Sequence, residues 1–303
     1  MHRTGLSEFD KRVGIRMKNE MNEQNSQNRE KNMAAEKEIC TSDILKMLHT
    51  DWAGRNPVFY PETGSTNTDA AELAAAGAAH GTLVIADRQK AGRGRRGRVW
   101  ESPAGENIFM SMVLRPRIAA EKAPMLTLVM ALALAEGISA ISGVQVGIKW
   151  PNDIVIHRHK ICGILTEMQM NSDGSIRDVV IGAGINVNMQ EFPASIRDMA
   201  GSLYTETGEK YDRNELIACV LEHFEKDYDI FVKAESLAPL KTPYEERLLN
   251  LGQEVRVLDP AGEYTGKARG ITLTGELTVE RENGNISEVN AGEVSVRGLY
   301  GYV

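Results

Sequence analysis

The sequence predicts an α+β fold, a mixed β-sheet with helices followed by a small SH3-like β-barrel, on three observations. From Pro57 onward, short strand-like segments such as "LVIAD" at 83–87 alternate with helical segments. The segment 213–233 spaces apolar side chains at three- and four-residue intervals, which is typical of an amphipathic helix facing a core. After Asn250, glycine, proline and asparagine turns recur every eight to ten residues, which indicates a small all-β unit.

The composition indicates a globular protein without a large basic surface. The 303 residues are 42% hydrophobic and 25% charged, and the net charge is −7. This charge argues against affinity of the whole chain for nucleic acid or anionic membrane, so any basic function has to be local. The longest apolar run, 125–135, is about half the roughly 20 residues that a membrane-spanning helix requires.

The N-terminal residues and the cysteines point to the cytoplasm. The first residues carry scattered charges and lack the apolar segment of a secretory signal. The three cysteines, Cys40, Cys162 and Cys219, are too few and too far apart for a disulfide framework or a zinc site. We therefore expect a cytoplasmic protein with reduced thiols.

Residues 1–56 predict a polar flexible tail and one short helix. The stretch "EMNEQNSQNREKN" at 20–32 has one methionine as its only sizeable apolar side chain, so burial cannot offset its ordering entropy. The helix is predicted in "TSDILKMLHTDW" at 41–52, where the first three residues are candidate N-caps. A winged helix-turn-helix needs three periodic helices and a hairpin, which the residues before Pro57 do not contain.

Residues 57–250 form the larger predicted domain. Strand-like runs at 83–87 and 107–115 precede an alanine-leucine helix at 124–142. The segments "VQVGIKW" at 144–150 and "IVI" at 154–156 predict a hairpin around the turn "PND". Two β-rich runs, 161–170 and 178–189, and the helix at 213–233 follow. Residues 251–303 form the second predicted domain, the SH3-like barrel.

The segment between Arg88 and Arg98 contains six basic residues and no acidic one. Glycines at 92, 94 and 97 predict a flexible loop and not a helix. The residues by themselves leave three uses open, namely binding the phosphate of a small nucleotide, binding single-stranded nucleic acid, or forming a solvated surface loop. The pattern fits neither a P-loop nor the Rossmann fingerprint.

Three further segments each have a structural and a functional interpretation. "GSTNTDA" at 64–70 either caps a helix that begins near Asp69 or binds a small polar head group such as a ureido ring. In "KWPNDIVIHRHKICGILTE" at 149–167, the turn and Trp150 suit a core, yet Lys160 beside Gly163 could reach a carboxylate or phosphate. Glycines within the strand "IGAGINVN" at 181–188 indicate the close approach of another backbone or of a ligand.

In this order, "STN", "GRGRRGRVW", "KWPND", "KICGIL" and "IGAGINVN" resemble the motifs of the biotin protein ligase family, the biotin–[acetyl-CoA-carboxylase] ligases. The resemblance extends from about Val58 to the C-terminus. It implies a class II synthetase-like catalytic domain at 57–250 that binds biotin and ATP, and a C-terminal SH3-like domain at 251–303. It also implies activation of biotin as biotinyl-5′-AMP and transfer to a lysine of a biotin carboxyl carrier protein. Mg²⁺ is expected with the triphosphate, but no carboxylate cluster identifies its ligands.

The resemblance assigns roles to individual positions. It implies catalytic roles for Arg95, Lys160 and Asp153, of which Asp153 would support Lys149, Lys160 or the acceptor lysine. The implied biotin contacts are Ser65, Thr66, Asn67, Gln89, Arg93, Gly94, Arg95, Lys160 and Gly163. The implied ATP contacts are Arg93, Arg96, Trp100, Lys149, Asn152, Asn186 and Arg297. Core packing is an equally good interpretation of Trp100.

Two alternatives and two departures accompany the resemblance. A lipoate–protein ligase performs similar adenylation but lacks the arginine loop, and a nucleic-acid-binding regulator could use that loop in another way. Because the first 56 residues predict only a polar tail and one helix, and not a winged helix-turn-helix, we expect a monofunctional ligase that does not bind DNA. Ala291 stands where the family often has a second glycine. Exposed strand edges could form a homodimer or receive the carrier domain, and the sequence does not separate these uses.

Overall fold

The computed structural model describes residues 37–259, 262–291 and 295–298. Its larger part is a seven-stranded sheet with the spatial order β1-β2-β3-β7-β6-β5-β4. Strands β1 and β2 are parallel and the other neighbours are antiparallel, which confirms the predicted mixed sheet. The strands are β1 (Asn56–Thr63), β2 (Thr82–Gln89), β3 (Ile108–Leu114), β4 (Gly147–Lys149), β5 (Asp153–Ile156), β6 (His159–Met170) and β7 (Ile176–Ile185).

Helices cover both faces of this sheet. They are α1 (Thr41–Met47), α2 (Thr66–Ala75), α3 (Met125–Ser142), α4 (Leu203–Thr207), α5 (Arg213–Ala234) and α6 (Lys241–Glu245). Side chains that alternate along a strand reach opposite faces. Met112 accordingly belongs to the main core, whereas its neighbour Val113 packs with Ala70 and Ala74 of α2. Helices α3 and α5 cover the main-core face and approach closely at Gly137, where a Cβ atom would lie 3.0 Å from Val220 Cα.

Helix α1 and the loop that follows it pack against α5. Ile44 of α1 is completely buried in the main core. The Glu225 carboxylate of α5 accepts three backbone N–H hydrogen bonds, from Asp51, Trp52 and Ala53, at 2.6 to 2.8 Å. The predicted short helix is therefore confirmed, and it contributes to the core of the larger sheet. The predicted polar tail at residues 1–36 lies outside the described residues.

The sequence analysis found no apolar run long enough to span a membrane, but the helical stretch around α3 meets that length. The helical stretch Ala120–Ser142 has mean hydropathy 1.8 and is long enough to cross a bilayer by length and composition. In the fold, 67% of an 18-residue window within this stretch is buried. It is apolar because it packs between the sheet and α5, and core helices of globular proteins meet the same criterion.

A second, five-stranded antiparallel sheet follows, with the order β11-β10-β9-β8-β12. Its strands are β8 (Glu254–Leu258), β9 (Tyr264–Ile271), β10 (Leu277–Glu280), β11 (Ile286–Val289) and β12 (Ser295–Gly298). The indole of Trp150 is buried and donates to the Gly275 carbonyl at 3.0 Å, and Glu245 accepts from the Ile271 backbone N–H at 2.9 Å. Trp150 is thus a core residue that joins the two sheets.

Several local predictions differ from the structure. Helix α2 begins at Thr66, three residues before the predicted Asp69, because the hydroxyl and amide residues form its first turn. The run 144–150 contributes only the three residues of β4. The arginine loop includes a single 3-10 turn at Arg95–Gly97, in which Arg96 adopts a left-handed conformation with φ 60°. Helices α4 and α6, five residues each, are too short to show a helical period in the sequence.

Candidate active site

One cavity collects most of the predicted site residues. It contains about 460 Å³ of empty space, part of which is open solvent. Strands β6 and β7 form its floor, and the N-terminal turn of α2 and the arginine loop form its walls. The lining residues are Ser65, Thr66, Asn67, Gln89, Arg93, Gly94, Arg95, Trp100, Asn152, Lys160, Gly163, Ile164, Leu165, Gly182, Ala183 and Gly184.

Three glycines in the floor of the cavity leave room for the side chains that pack on it. Gly163 of β6 and Gly184 of β7 are register partners, and the Trp100 indole lies on both. A Cβ atom would lie 2.9 Å from Trp100 Cζ3 at Gly163 and 2.6 Å from Trp100 Nε1 at Gly184. At Gly182, a Cβ atom would lie 1.9 Å from Asn67 Oδ1. Other groups do approach the glycines of "IGAGINVN" closely, but they are the side chains of Asn67 and Trp100 and not another backbone, as was predicted alongside a ligand.

Uncharged polar groups form one end of the cavity. Ser65 occupies the N-cap position of α2, but its hydroxyl makes no capping hydrogen bond. The Thr66 backbone N–H donates to Gln89 Oε1 at 2.9 Å. Asn67 Nδ2 donates to Glu167 Oε2 at 2.7 Å and to the Leu165 carbonyl at 3.2 Å. This end therefore presents small, fixed hydroxyl and amide groups.

Ser111 of β3 holds Thr66 and Asn67 in place. Its side chain is completely buried, lies 2.8 Å from Thr66 Oγ1 and donates to Asn67 Oδ1 at 2.6 Å. All polar atoms of the Asn67 side chain consequently have protein partners. A buried and fully satisfied network of this kind holds its members in one geometry.

Two cations form the other end. Lys160 Nζ pairs with Asp153 Oδ1 at 2.6 Å and lies 5.2 Å from the centre of the Trp100 ring. Of the three partners predicted for Asp153, the structure shows this one. The Arg95 guanidinium donates to Asn152 Oδ1 at 3.0 Å and to the Ala291 carbonyl, which lies just after β11 of the second sheet. Burial lowers the pKa of Arg95, although the negative charge of Asp153 opposes that effect, and a guanidinium stays charged at neutral pH.

Arg93 joins the arginine loop to the uncharged end. Its Nη2 atom lies 3.4 Å from both Thr68 Oγ1 and Glu167 Oε2, and about half of its side chain is exposed. The Gly94 backbone N–H donates to the Arg98 carbonyl at 2.7 Å and thereby narrows the loop. Arg93 lines the cavity. Because its contacts to Thr68 and Glu167 are long and solvated, they are weak, and the guanidinium can exchange them for contacts to a ligand.

Four predicted ATP contacts lie outside this cavity lining. Arg96 is exposed, and Lys149 is buried in β4, where its register partner is Asp153. Asn186 is 5% exposed and donates to the Gly201 carbonyl at 2.9 Å, which is a structural use of that side chain. The backbone of Arg297 pairs with Arg256 in the second sheet, while its side chain lies outside the described part. Their ATP roles stay predictions.

Three residues that form hydrogen bonds with predicted site residues were missed from the sequence, namely Ser111, Glu167 and Ser102, which accepts from Gln89 Nε2 at 3.2 Å. Ser111 left a signal, since it is the only polar residue in the otherwise apolar strand "IFMSMVL". Ser102 and Glu167 left none, because serine and glutamate are common in loops and on partly exposed strands. In the described residues, no group of three His, Cys, Asp or Glu side chains could hold a metal ion. Cys162 is buried, which raises the pKa of its thiol and makes it a poor nucleophile.

Comparison with known proteins gives consistent matches to both sheets. Residues 60–186 match the profile of the "Biotin/lipoate A/B protein ligase family", and residues 251–297 match the "Biotin protein ligase C terminal domain". The bifunctional ligase/repressor BirA of Bacillus spizizenii is 42% identical over 260 residues, which cover 85% of this chain and 79% of that protein. The biotin–[acetyl-CoA-carboxylase] ligase of Paracoccus denitrificans is 33% identical over 220 residues, 71% of this chain and 90% of that protein. The structure of the biotin protein ligase from Aquifex aeolicus in complex with biotin and ATP has a TM-score of 0.71 at 34% identity, covering 80% of this chain and 99% of that chain.

Proposed function

The chain belongs to the biotin protein ligase family. We propose that one end of its cavity binds the head group of biotin and that the other end binds the groups that react. The enzyme activates biotin with ATP and transfers the biotinyl group to an acceptor protein. The uncharged end at Thr66, Asn67 and Gln89 would hold the ureido head group of biotin. The cationic end at Arg95 and Lys160 would receive the carboxylate and the α-phosphate.

One observation carries this assignment, namely that one cavity is lined both by the neutral polar groups around Asn67 and by the cations Lys160 and Arg95. Biotin has the matching polarity, with a neutral polar ring system at one end and a carboxylate at the other. The apolar and glycine residues between the two ends, Gly163, Ile164 and Ala183, suit its bicyclic body and alkyl chain. A lone anion site or a nucleic-acid groove would not need the uncharged end.

In the first step, a biotin carboxylate oxygen attacks the α-phosphorus of ATP and pyrophosphate leaves. Two anions approach each other, so cations placed between them lower the barrier by electrostatic stabilisation and by positioning. Lys160 and Arg95 are suited to this role because both are partly buried and each is held by a defined partner. Asp153 orients Lys160 Nζ toward the cavity, and Asn152 with the Ala291 carbonyl orients Arg95.

In the second step, the amine of an acceptor lysine attacks the biotinyl carbonyl carbon, AMP leaves and the amine loses a proton. The relatives named biotin–[acetyl-CoA-carboxylase] ligase indicate a biotin carboxyl carrier protein as the acceptor. Strand β1 lies at one edge of the larger sheet, where a carrier domain or a second copy of the chain could add a strand. The carrier, a homodimer and a cytoplasmic location stay predictions.

Magnesium is expected to arrive with the ATP phosphates. Within residues 37–259, 262–291 and 295–298 no group of metal-ligating side chains is large enough for a resident ion, and Asp153 is engaged by Lys160. These residues do not fit a dedicated metal site, so no step is assigned to the ion. Mg²⁺ commonly binds nucleotides through phosphate oxygens with one or two protein carboxylates.

The test is pyrophosphate release from ATP with biotin, with lipoate and without either acid. We expect biotin-dependent release by the wild type, and a loss of at least about a hundredfold in Arg95→Ala and Lys160→Ala, as for other electrostatic groups at a reacting centre. Lys233→Ala is the matched control, since Lys233 is an exposed lysine in the last turn of α5. Release with lipoate alone would identify a lipoate ligase, and unchanged release in both variants would refute the assigned roles.

A monofunctional enzyme is the second part of the proposal. Within residues 37–56, the structure describes a single helix, which packs on α5. Since the Bacillus relative is named a ligase/repressor, binding to operator DNA should be measured at about 50 and 200 mM salt. Contacts to several phosphates would make affinity fall steeply with salt, whereas biotin affinity should hardly change. Specific, salt-dependent DNA binding would refute this part.

A further inference from the structure

Ser102 lies where the arginine loop returns to the body of the protein, and it is not among the residues that line the cavity. We propose that Ser102 is a positioning residue that orients the Gln89 amide for biotin and anchors the base of the arginine loop. This inference rests on the proposed function, because it concerns how the same cavity recognises biotin. Ser102 does not line the cavity and acts through Gln89.

The Ser102 hydroxyl makes two hydrogen bonds. It donates to the Trp100 carbonyl at 3.0 Å and accepts from Gln89 Nε2 at 3.2 Å. A serine hydroxyl has one hydrogen to donate and lone pairs to accept, so both bonds can form together. The side chain is only 7% exposed, which shields this junction from competing water.

The Thr66 backbone N–H and the Ser102 hydroxyl together determine which way the Gln89 amide points. The Thr66 backbone N–H can only donate, so the atom of Gln89 that lies 2.9 Å from it has to be the oxygen. Gln89 Nε2 therefore faces Ser102 with one hydrogen and keeps its second hydrogen for the cavity. Gln89 lines the cavity, and a ligand atom that pairs with this second hydrogen has to be an acceptor.

The same junction closes the arginine loop. The Trp100 backbone N–H donates to the Gly92 carbonyl at 2.9 Å, which joins the two ends of the loop. A Cβ atom at Gly92 would lie 2.6 Å from the Trp100 carbonyl oxygen and 2.7 Å from Ser102 Oγ. The close packing at this point explains why a glycine occupies position 92. The Ser102 hydroxyl consequently connects Trp100 at the base of the loop with Gln89, one of the predicted head-group residues.

The experiment is a double-mutant cycle measured by isothermal titration of biotin into the full chain. The proteins are the wild type, Ser102→Ala, Gln89→Ala and the double variant. Ser102→Ala should weaken biotin binding about three- to tenfold, the size expected for the loss of one net hydrogen bond. Because Ser102 acts through Gln89, the double variant should bind biotin within about twofold of Gln89→Ala.

The matched control is Ser142→Ala. Ser142 also donates one hydrogen bond, to the Ile138 carbonyl at 2.6 Å, but it lies at the end of α3 and outside the cavity lining. It should lose stability without losing biotin affinity. A second readout is amide exchange at Trp100, which should become faster in Ser102→Ala and stay unchanged in the control.

The outcomes separate this inference from the proposed function. Wild-type affinity in Ser102→Ala, or independent effects of Ser102→Ala and Gln89→Ala that multiply in the double variant, would overturn the inference while biotin binding stands. Failure of the wild type to bind biotin would overturn the proposed function and this inference with it. Coupled losses together with faster Trp100 exchange would support it.

Discussion

Replacing Gly182 by alanine tests the geometry of the uncharged end more directly than any change to a polar residue. Gly182 lies in β7 with an extended backbone that alanine can adopt, so backbone strain does not enter. The new Cβ atom would lie 1.9 Å from Asn67 Oδ1 and 3.2 Å from Ser111 Oγ. Asn67 cannot remain in place, because no carbon and oxygen atoms approach so closely without a bond.

The magnitude follows from what holds Asn67. Its side chain makes three hydrogen bonds, from Ser111 and to Leu165 and Glu167. At roughly 1 kcal/mol net for each neutral bond and more for the one to a carboxylate, partial loss should destabilise the fold by about 2 to 4 kcal/mol. Thermal unfolding should then shift downward by roughly 5 to 10 °C. Biotin affinity should fall at least about tenfold, a factor equal to about 1.4 kcal/mol of binding free energy, because the displaced Asn67 side chain would no longer lie where the head group is proposed to bind.

Gly184→Ala is the matched control, two residues along the same face of the same strand. Its Cβ atom would lie 2.6 Å from Trp100 Nε1, an atom that makes no hydrogen bond within the described residues. Trp100 belongs to the loop and can move away, so Gly184→Ala should change thermal stability by less than about 1 kcal/mol. Equal melting temperatures and equal biotin affinities for wild type and Gly182→Ala would refute the reasoning. Equal losses of thermal stability in Gly182→Ala and Gly184→Ala would refute it as well.

The remaining predictions concern a buried carboxyl group and the arginine loop. Burial, with a smaller effect of Glu136, raises the pKa of Asp227 from 3.8 to about 7. The stability this group contributes is therefore complete below about pH 4 and is lost as the pH rises through 7. Asp227→Asn should gain stability relative to wild type between those values and level off above them, in urea unfolding at each pH; a constant difference would contradict this. Biotin should also slow amide exchange at residues 92–98, because the loop is expected to order over the ligand, and unchanged exchange would refute that role.

The sequence by itself determined the chemistry that lines the cavity. All nine predicted biotin contacts lie there, and so do Trp100 and Asn152 of the predicted ATP contacts. This was possible because the motifs are local, with glycines and arginines adjacent along the chain and a lysine three residues before a glycine. The alternation of apolar residues also predicted the mixed sheet and the long helices, since strand and helix periods are local properties.

Only the tertiary structure decided how those residues are held. Asn67 and Glu167 are 100 positions apart, and the Ala291 carbonyl reaches Arg95 from 196 positions away. No spacing rule connects such residues, because their distance depends on the register of β6 and β7 and on the packing of the second sheet. For the same reason the sequence did not predict the hydrogen bond from the Asn186 amide to the Gly201 carbonyl. Local motifs supplied the reactive groups, and strand register with domain packing supplied their partners.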